Sequence, residues 1–185
     1  MAIAVEAALI EQLRRQEEVA FTLIYERHKA QIYNYLYRLS GSRELADDLT
    51  HDTFLSAYES LPKLRDDSNI APWLYRIASN RFRDHLRRKK VISWLPWGDG
   101  YKQEATLASR GNEESLPERD AVEAVLKTMK PEYAICLVLR LAEGFSSDET
   151  AQILGVSPEA VRMRLSRARQ MFKDAYSAAE SGVPA

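Results

Sequence analysis

The chain has 185 residues, of which 45 % are apolar and 29 % charged, within the globular range and outside the disordered class. Seven glycines and seven prolines are few for this length and argue for helices over a turn-rich β-sandwich. A net charge of −1 excludes a protein that coats nucleic acid or membrane with its whole surface.

In chain order, Phe21, Ile24, Tyr25, His28, Ile32, Tyr35, Leu36 and Leu39 recur at three and four, the inward face of a long amphipathic helix. Ser40-Gly41-Ser42 ends it, with Gly as a natural C-terminal cap. Leu45, Ala46, Leu49, Thr53, Phe54 and Ala57 repeat the pattern in a second helix, closed by Leu61-Pro62. Residues 62–71 predict a polar loop, and Pro72 opens a third helix that runs to about Lys90. Residues 91–116 lose periodicity and collect Gly, Pro, Ser and Asn, the composition of a linker. A second helical block follows from about Pro117 to Ala179. No convincing strand alternation appears, so the predicted fold is all-α, two small helical domains on a tether.

The small total charge conceals segregation. Residues 40–71 carry −4 and residues 91–126 another −4, whereas residues 72–90 reach +6 and residues 158–173 reach +4. In the first basic block Arg76, Asn80, Arg83 and Arg87 fall at spacings of four, three and four and share one helical face, opposite Leu74, Ile77, Ala78, Phe82 and Leu86. A solvated face would alternate acids and bases, and only Asp84 interrupts this one. Guanidinium forks suit phosphates and an amide suits a base edge, so the stripe fits a helix laid on DNA. In the second block Ser146 and Glu149 form a capping-box pattern, Gly155 supplies a tight turn, and Ser157-Pro158 starts the next helix. Val161, Leu165, Ala168 and Phe172 point inward from that helix, leaving Arg162, Met163, Ser166, Arg167 and Arg169 outward and Arg164 at the margin. This is the pattern of a helix-turn-helix with its recognition helix, and an αα-hairpin in a plain bundle has no need of five basic residues there.

Taken together, ADDLTHDTFLSAY (46–58), WLYRIASNRFRD (73–84) and VRMRLSRAR (161–169) resemble the ECF-type sigma factors, the smallest class of the sigma-70 family, over roughly residues 8–177. Such proteins direct bacterial RNA polymerase to promoters. The resemblance implies a region 2-like helical bundle over 8–90, a linker over 91–116 and a region 4-like helix-turn-helix domain over 117–179. By the same resemblance Arg76, Asn80, Arg83 and Arg87 belong to the element that reads and melts the −10 region, with Tyr75 a weaker stacking candidate and Trp73 a core residue. Arg162, Met163, Arg164, Ser166 and Arg167 stand where the family contacts the −35 element. Asp47, Asp48, His51 and Asp52 match the surface that docks on core polymerase, with His51 where members often carry Gln. Helix solvation is the competing account of those acids. Partners implied are core RNA polymerase, promoter DNA and an anti-sigma factor. Trp94 and Trp97 in the linker fit packing on the chain's own domains or a docking point for such a partner.

Other chemistry lacks its residues. The lone Cys136 excludes an internal disulfide framework and lies in an apolar run that suits a buried, inert thiol. His28, His51, His85 and Cys136 have no metal-ligand spacing, and neither GxxxxGK nor GxGxxG occurs. No enzyme, metal site or cofactor is expected. The longest apolar run, residues 133–139, is about a third of a bilayer span, and the N-terminus does not read as a signal peptide, so a cytoplasmic protein without membrane insertion is expected. Two other readings stay open: an autonomous helix-turn-helix regulator, which needs a dimer interface, and a sigma-like decoy that only titrates an anti-sigma factor.

Overall fold

The structure, a computed structural model, describes residues 11–13, 15, 18–64, 69–92 and 117–180. Helix α1 (Glu18–Ser40) turns Ala20, Ile24, His28, Ile32, Tyr35, Leu36 and Leu39 inward, the stripe read from the spacing. Gly41, at φ +61°, ends it in the left-handed conformation that glycine adopts without Cβ strain. Helix α2 (Arg43–Ser60) starts two residues before the predicted apolar repeat, because the Ser42 side chain accepts from the Leu45 N–H. Thr50 and Thr53 are buried in α2 without orphan hydroxyls, since each donates to the carbonyl four residues earlier at 2.6 Å. Phe54 meets Phe21 and Tyr25 of α1 edge to face, and Phe21 meets Tyr58 in the same way, so the α1–α2 contact is an aromatic seam.

A 3₁₀ turn (Leu61–Lys63) follows, and helix α3 (Ile70–Ile92) begins two residues earlier than Pro72 suggested. Asn69 is the reason. Its side-chain oxygen accepts from the Ala71 N–H and its carbonyl from the Trp73 N–H, which places Pro72 inside the first turn, where its missing donor is harmless. The hydroxyl of Ser79 donates to the Tyr75 carbonyl, so Tyr35 is left to donate to Ser79 Oγ at 2.7 Å, a buried bond that ties α1 to α3. The helix ends two residues past Lys90, and the predicted linker lies outside the described residues apart from that last turn, Trp94 and Trp97 included.

The second helical block resolves into α4 (Pro117–Thr128), α5 (Pro131–Leu141), α6 (Ser147–Leu154) and α7 (Pro158–Glu180). Residues 134–139 of α5 are buried without a break. The apolar run is therefore a central helix wrapped by neighbours: α6 and α7 of its own domain and α1 of the first. Among the described residues no helix is long and apolar enough to cross a membrane. A tether alone does not say how the two domains sit. They pack side by side, with α3 against α6 and α1 against α4 and α5.

Candidate nucleic-acid interface

The DNA stripe of α3 is set by what the opposite arc must bury. Leu74, Ala78 and Phe82 are buried, with Ile77 and Leu86 packed against the same core, so Arg76, Asn80 and Arg87 emerge on the exposed side. Arg87 bonds the carboxylate of Asp84, one turn back. Arg83 stands on the same face but is half-buried, because the second domain covers it. Burial presses its guanidinium below the usual arginine range, and the like charge of Arg164 from α7 adds to this. Tyr75, the weaker stacking candidate, is not available to a base. Its ring is 4 % exposed and lies edge-on between Tyr35 and Phe145, because inward packing on α3 extends to this position. Trp73 is partly buried against the core, as expected of an anchor.

The helix-turn-helix follows its sequence signals residue by residue. The Ser146 side chain accepts from the Glu149 N–H, and Glu149 accepts from the Ser146 N–H at 2.7 Å. That backbone donor holds the Glu149 carboxyl below the usual range. Gly155 takes φ +66° at the turn, Val156 is half-buried beside it, and Ser157 accepts from the Ala160 N–H. Val161, Leu165 and Ala168 anchor α7 inward. Arg162, Met163, Ser166 and Arg167 are exposed, Met163 at 58 %, and Arg162 bonds Glu159 at 2.5 Å. Arg164 is half-buried toward the first domain, which agrees with its marginal position on the wheel. An exposed thioether of that size on a helix otherwise lined by guanidinium groups is suited to an apolar contact such as a thymine methyl.

Asp47, Asp48, His51 and Asp52 are all exposed on α2, on the side away from its core. At ~100° per residue, Asp48 and Asp52 form one row and Asp47 and His51 another, with Leu55 between them. Leu55 is 52 % exposed. It is absent from the motif-based reading, although an apolar residue out of step with the inward period was the signal for it. Cys136 is buried as expected, its thiol facing the Val161 carbonyl and pushed up by burial. Among the described residues no group of three or more His, Cys, Asp or Glu converges on one point.

The fold defines a two-domain, all-helical protein that carries a helix-turn-helix in its second domain. Residues 24–91 match the family model for Sigma-70 region 2, and residues 119–172 that for Sigma-70, region 4. The RNA polymerase sigma factor CarQ of Myxococcus xanthus is 31 % identical over 170 residues, 89 % of this chain and 94 % of that protein. The ECF RNA polymerase sigma factor SigW of Bacillus subtilis is 26 % identical over 174 residues, 89 % of this chain and 92 % of that protein. Among solved structures, CnrH in complex with the cytosolic domain of CnrY superposes with a TM-score of 0.70 at 24 % identity, covering 94 % of this chain and 97 % of that one. The sigma factor RpoE in complex with the anti-sigma factor NepR, from Bartonella quintana, also gives 0.70, at 23 % identity, covering 85 % of this chain and 96 % of that one. The chain belongs to the sigma-70 family and is an ECF sigma factor.

Proposed function

We propose that this sigma factor acts in the cytoplasm as a promoter-specificity subunit, docking on core polymerase through α2 and reading two DNA elements through α3 and α7. The observation that carries this reading is the pair of outward basic faces on two separately anchored helices, Arg76, Asn80 and Arg87 on one and Arg162, Arg167 and Met163 on the other. The first domain, about residues 8–90, engages the −10 element, with Arg76, Asn80, Arg83 and Arg87 along the strand. The second, about residues 117–179, engages the −35 element through Arg162, Met163, Arg164, Ser166 and Arg167. Asp47, Asp48, His51 and Asp52, around the exposed Leu55, form the polymerase-docking face. Two weak contacts on one chain reinforce each other through effective concentration, so each domain alone binds poorly. An anti-sigma factor is a further partner, supported by the resemblance in fold to sigma factors whose structures were solved with such partners. The relatives are transcription factors and not enzymes, and no catalytic role is assigned.

Arg76 and Arg167 are exposed and lie outside both cores, so their replacement tests the reading without unfolding the protein. The double variant R76A/R167A is expected to lose promoter-directed run-off transcription with reconstituted polymerase while it still co-elutes with core enzyme. Each arginine that contacts a phosphate should lower the salt slope of promoter binding by about one. Unchanged transcription from the double variant overturns the assignment of both helices.

A further inference from the structure

We propose that the free chain latches its second domain onto its first through Glu143, and that this latch must open before both DNA-reading helices can be used. The second half of this statement rests on the promoter-reading role proposed above.

Glu143 lies in the turn after α5, with its side chain 10 % exposed. Both of its oxygens are taken by donors from the first domain. Arg38 of α1 donates to Oε1 at 2.7 Å, and the Tyr75 hydroxyl of α3 donates to Oε2 at 2.5 Å. Charge-assisted bonds to a carboxylate held away from water are directional, and loss of a partner leaves a buried charge uncompensated. Two residues on, Phe145 sets its ring edge-on to Tyr75 at 4.8 Å, and Tyr75 meets Tyr35 at 5.0 Å in the first domain's core. The contact is thus keyed into the packing of the first domain. A second point of closure lies at the end of α1, where a Cβ on Gly41 would fall 1.8 Å from Lys127 Cε of α4.

The closed arrangement is at odds with reading two elements. It puts α3 against α6 of the helix-turn-helix, and it half-buries Arg83 beside the like charge of Arg164. Asp84, the acid on that face of α3, is already bonded to Arg87. Two guanidinium groups from the two DNA-reading helices therefore oppose each other where phosphates would satisfy both. Scale decides the rest. Elements named −10 and −35 lie about 25 base pairs apart, about 85 Å along the duplex at ~3.4 Å per pair. A globule of this length has a radius of gyration of about 16 Å and is about 40 Å across. Closed, the molecule engages one element at a time. The roughly 25 residue steps from Ile92 to Pro117, at ~3.4 Å each, allow a reach of up to about 85 Å once the latch is undone.

The test is single-molecule energy transfer on the full chain, alone in solution, with dyes at cysteines replacing the exposed Glu44 of α2 and Gln152 of α6 in a Cys136→Ala background. The wild-type latch should give one high-transfer population. Glu143→Arg sets like charges against Arg38 and should shift most molecules to a broad low-transfer population. The exchanged pair Arg38→Glu with Glu143→Arg should restore high transfer. Should Glu143→Arg lose its helical circular dichroism, Tyr75→Phe, which removes only the hydroxyl, is expected to give a smaller shift in the same direction. A wild type that is already low-transfer, or a folded Glu143→Arg identical to wild type, overturns the latch. Because the distance is measured without DNA or polymerase, failure of the latch leaves the promoter reading standing. A chain that closes but supports no transcription leaves the latch standing and overturns the promoter reading.

Discussion

The two domains reach similar helical content by different means. The first is built on helices of 18 to 23 residues whose register is set by long-range packing: the aromatic seam of Phe21, Tyr25, Phe54 and Tyr58, and the buried Tyr35–Ser79 bond. The helix-turn-helix instead contains an eight-residue helix, α6, too short to be stable by itself. It relies on local punctuation, with a capping box at its start, a left-handed glycine at its end and a serine cap on the next helix. A helix that must present side chains to a groove at a fixed angle benefits from ends fixed by neighbours in sequence. One that forms a core gains more from its apolar face. The lesson is that the same secondary structure rests on different supports, and mutations can tell them apart.

The largest expected effect tests packing in the first domain. Phe54 is 3 % exposed and touches Phe21 and Tyr25 of α1. Phe54→Ala should lower stability by about 3–5 kcal/mol, measured by urea denaturation, through lost burial and the cavity left behind. Amide exchange should accelerate first in α1 and α2. Equal acceleration in α6 and α7 would break the comparison, since the two domains would then unfold as one unit.

A smaller effect tests punctuation in the second domain. Nothing lies within 4 Å of a Cβ built at Gly155, so substitution there meets no clash and its cost comes from the backbone at φ +66° alone. Gly155→Ala should cost about 1–2 kcal/mol, and Gly155→Asn less, because Asn tolerates the left-handed region. Amide exchange across α6 and the start of α7 is the appropriate measure. Equal costs for Ala and Asn would show that the turn is held by tertiary contacts and not by its own conformation.

This division also explains what could be read in advance. Ser146, Glu149, Gly155 and Ser157 act on residues within a few positions, so their structural roles were visible in the sequence, as was the inward stripe of each long helix. The basic faces followed from the same spacing. Asn69 was overlooked because Pro72 is the louder signal for a helix start, although an Asn three residues before a proline can cap the same turn. Leu55 was passed over because the acids around it dominate the motif. The burial of Tyr75 and the half-burial of Arg83 had no local signal. Both follow from Glu143 and Phe145, which lie about 60–70 positions away in the chain and belong to another domain.

The smallest effect concerns a histidine that the first domain uses as a core residue. His28 is buried in the α1 stripe with Nδ1 3.0 Å from Gln31 Oε1, an acceptor, so Nδ1 carries the ring proton. Burial lowers its pKa from the ordinary value near 6.5; the Gln31 bond opposes this, and the Arg27 charge adds to the lowering. The folded state therefore favours the neutral ring, while the unfolded chain takes up a proton at the ordinary value. The resulting stabilisation is fully present above about pH 6.5 and is lost as pH falls through the folded value. His85 of α3 is lowered for the same primary reason, burial, with Lys89 and Arg88 adding to the effect and Asp48 opposing it, so its contribution has the same sign. Urea midpoints for the wild type should drop between pH 7.5 and 5.5. His28→Leu should flatten part of that slope, and His28→Leu with His85→Gln should flatten more. Neither site lies in the helix-turn-helix, so exchange protection in α6 should change less than in α1 over the same range. A slope that is unaltered in both variants, or a loss of protection centred on α6, would mean that the pH sensitivity arises in the second domain and that packing is not what makes the first one titrate.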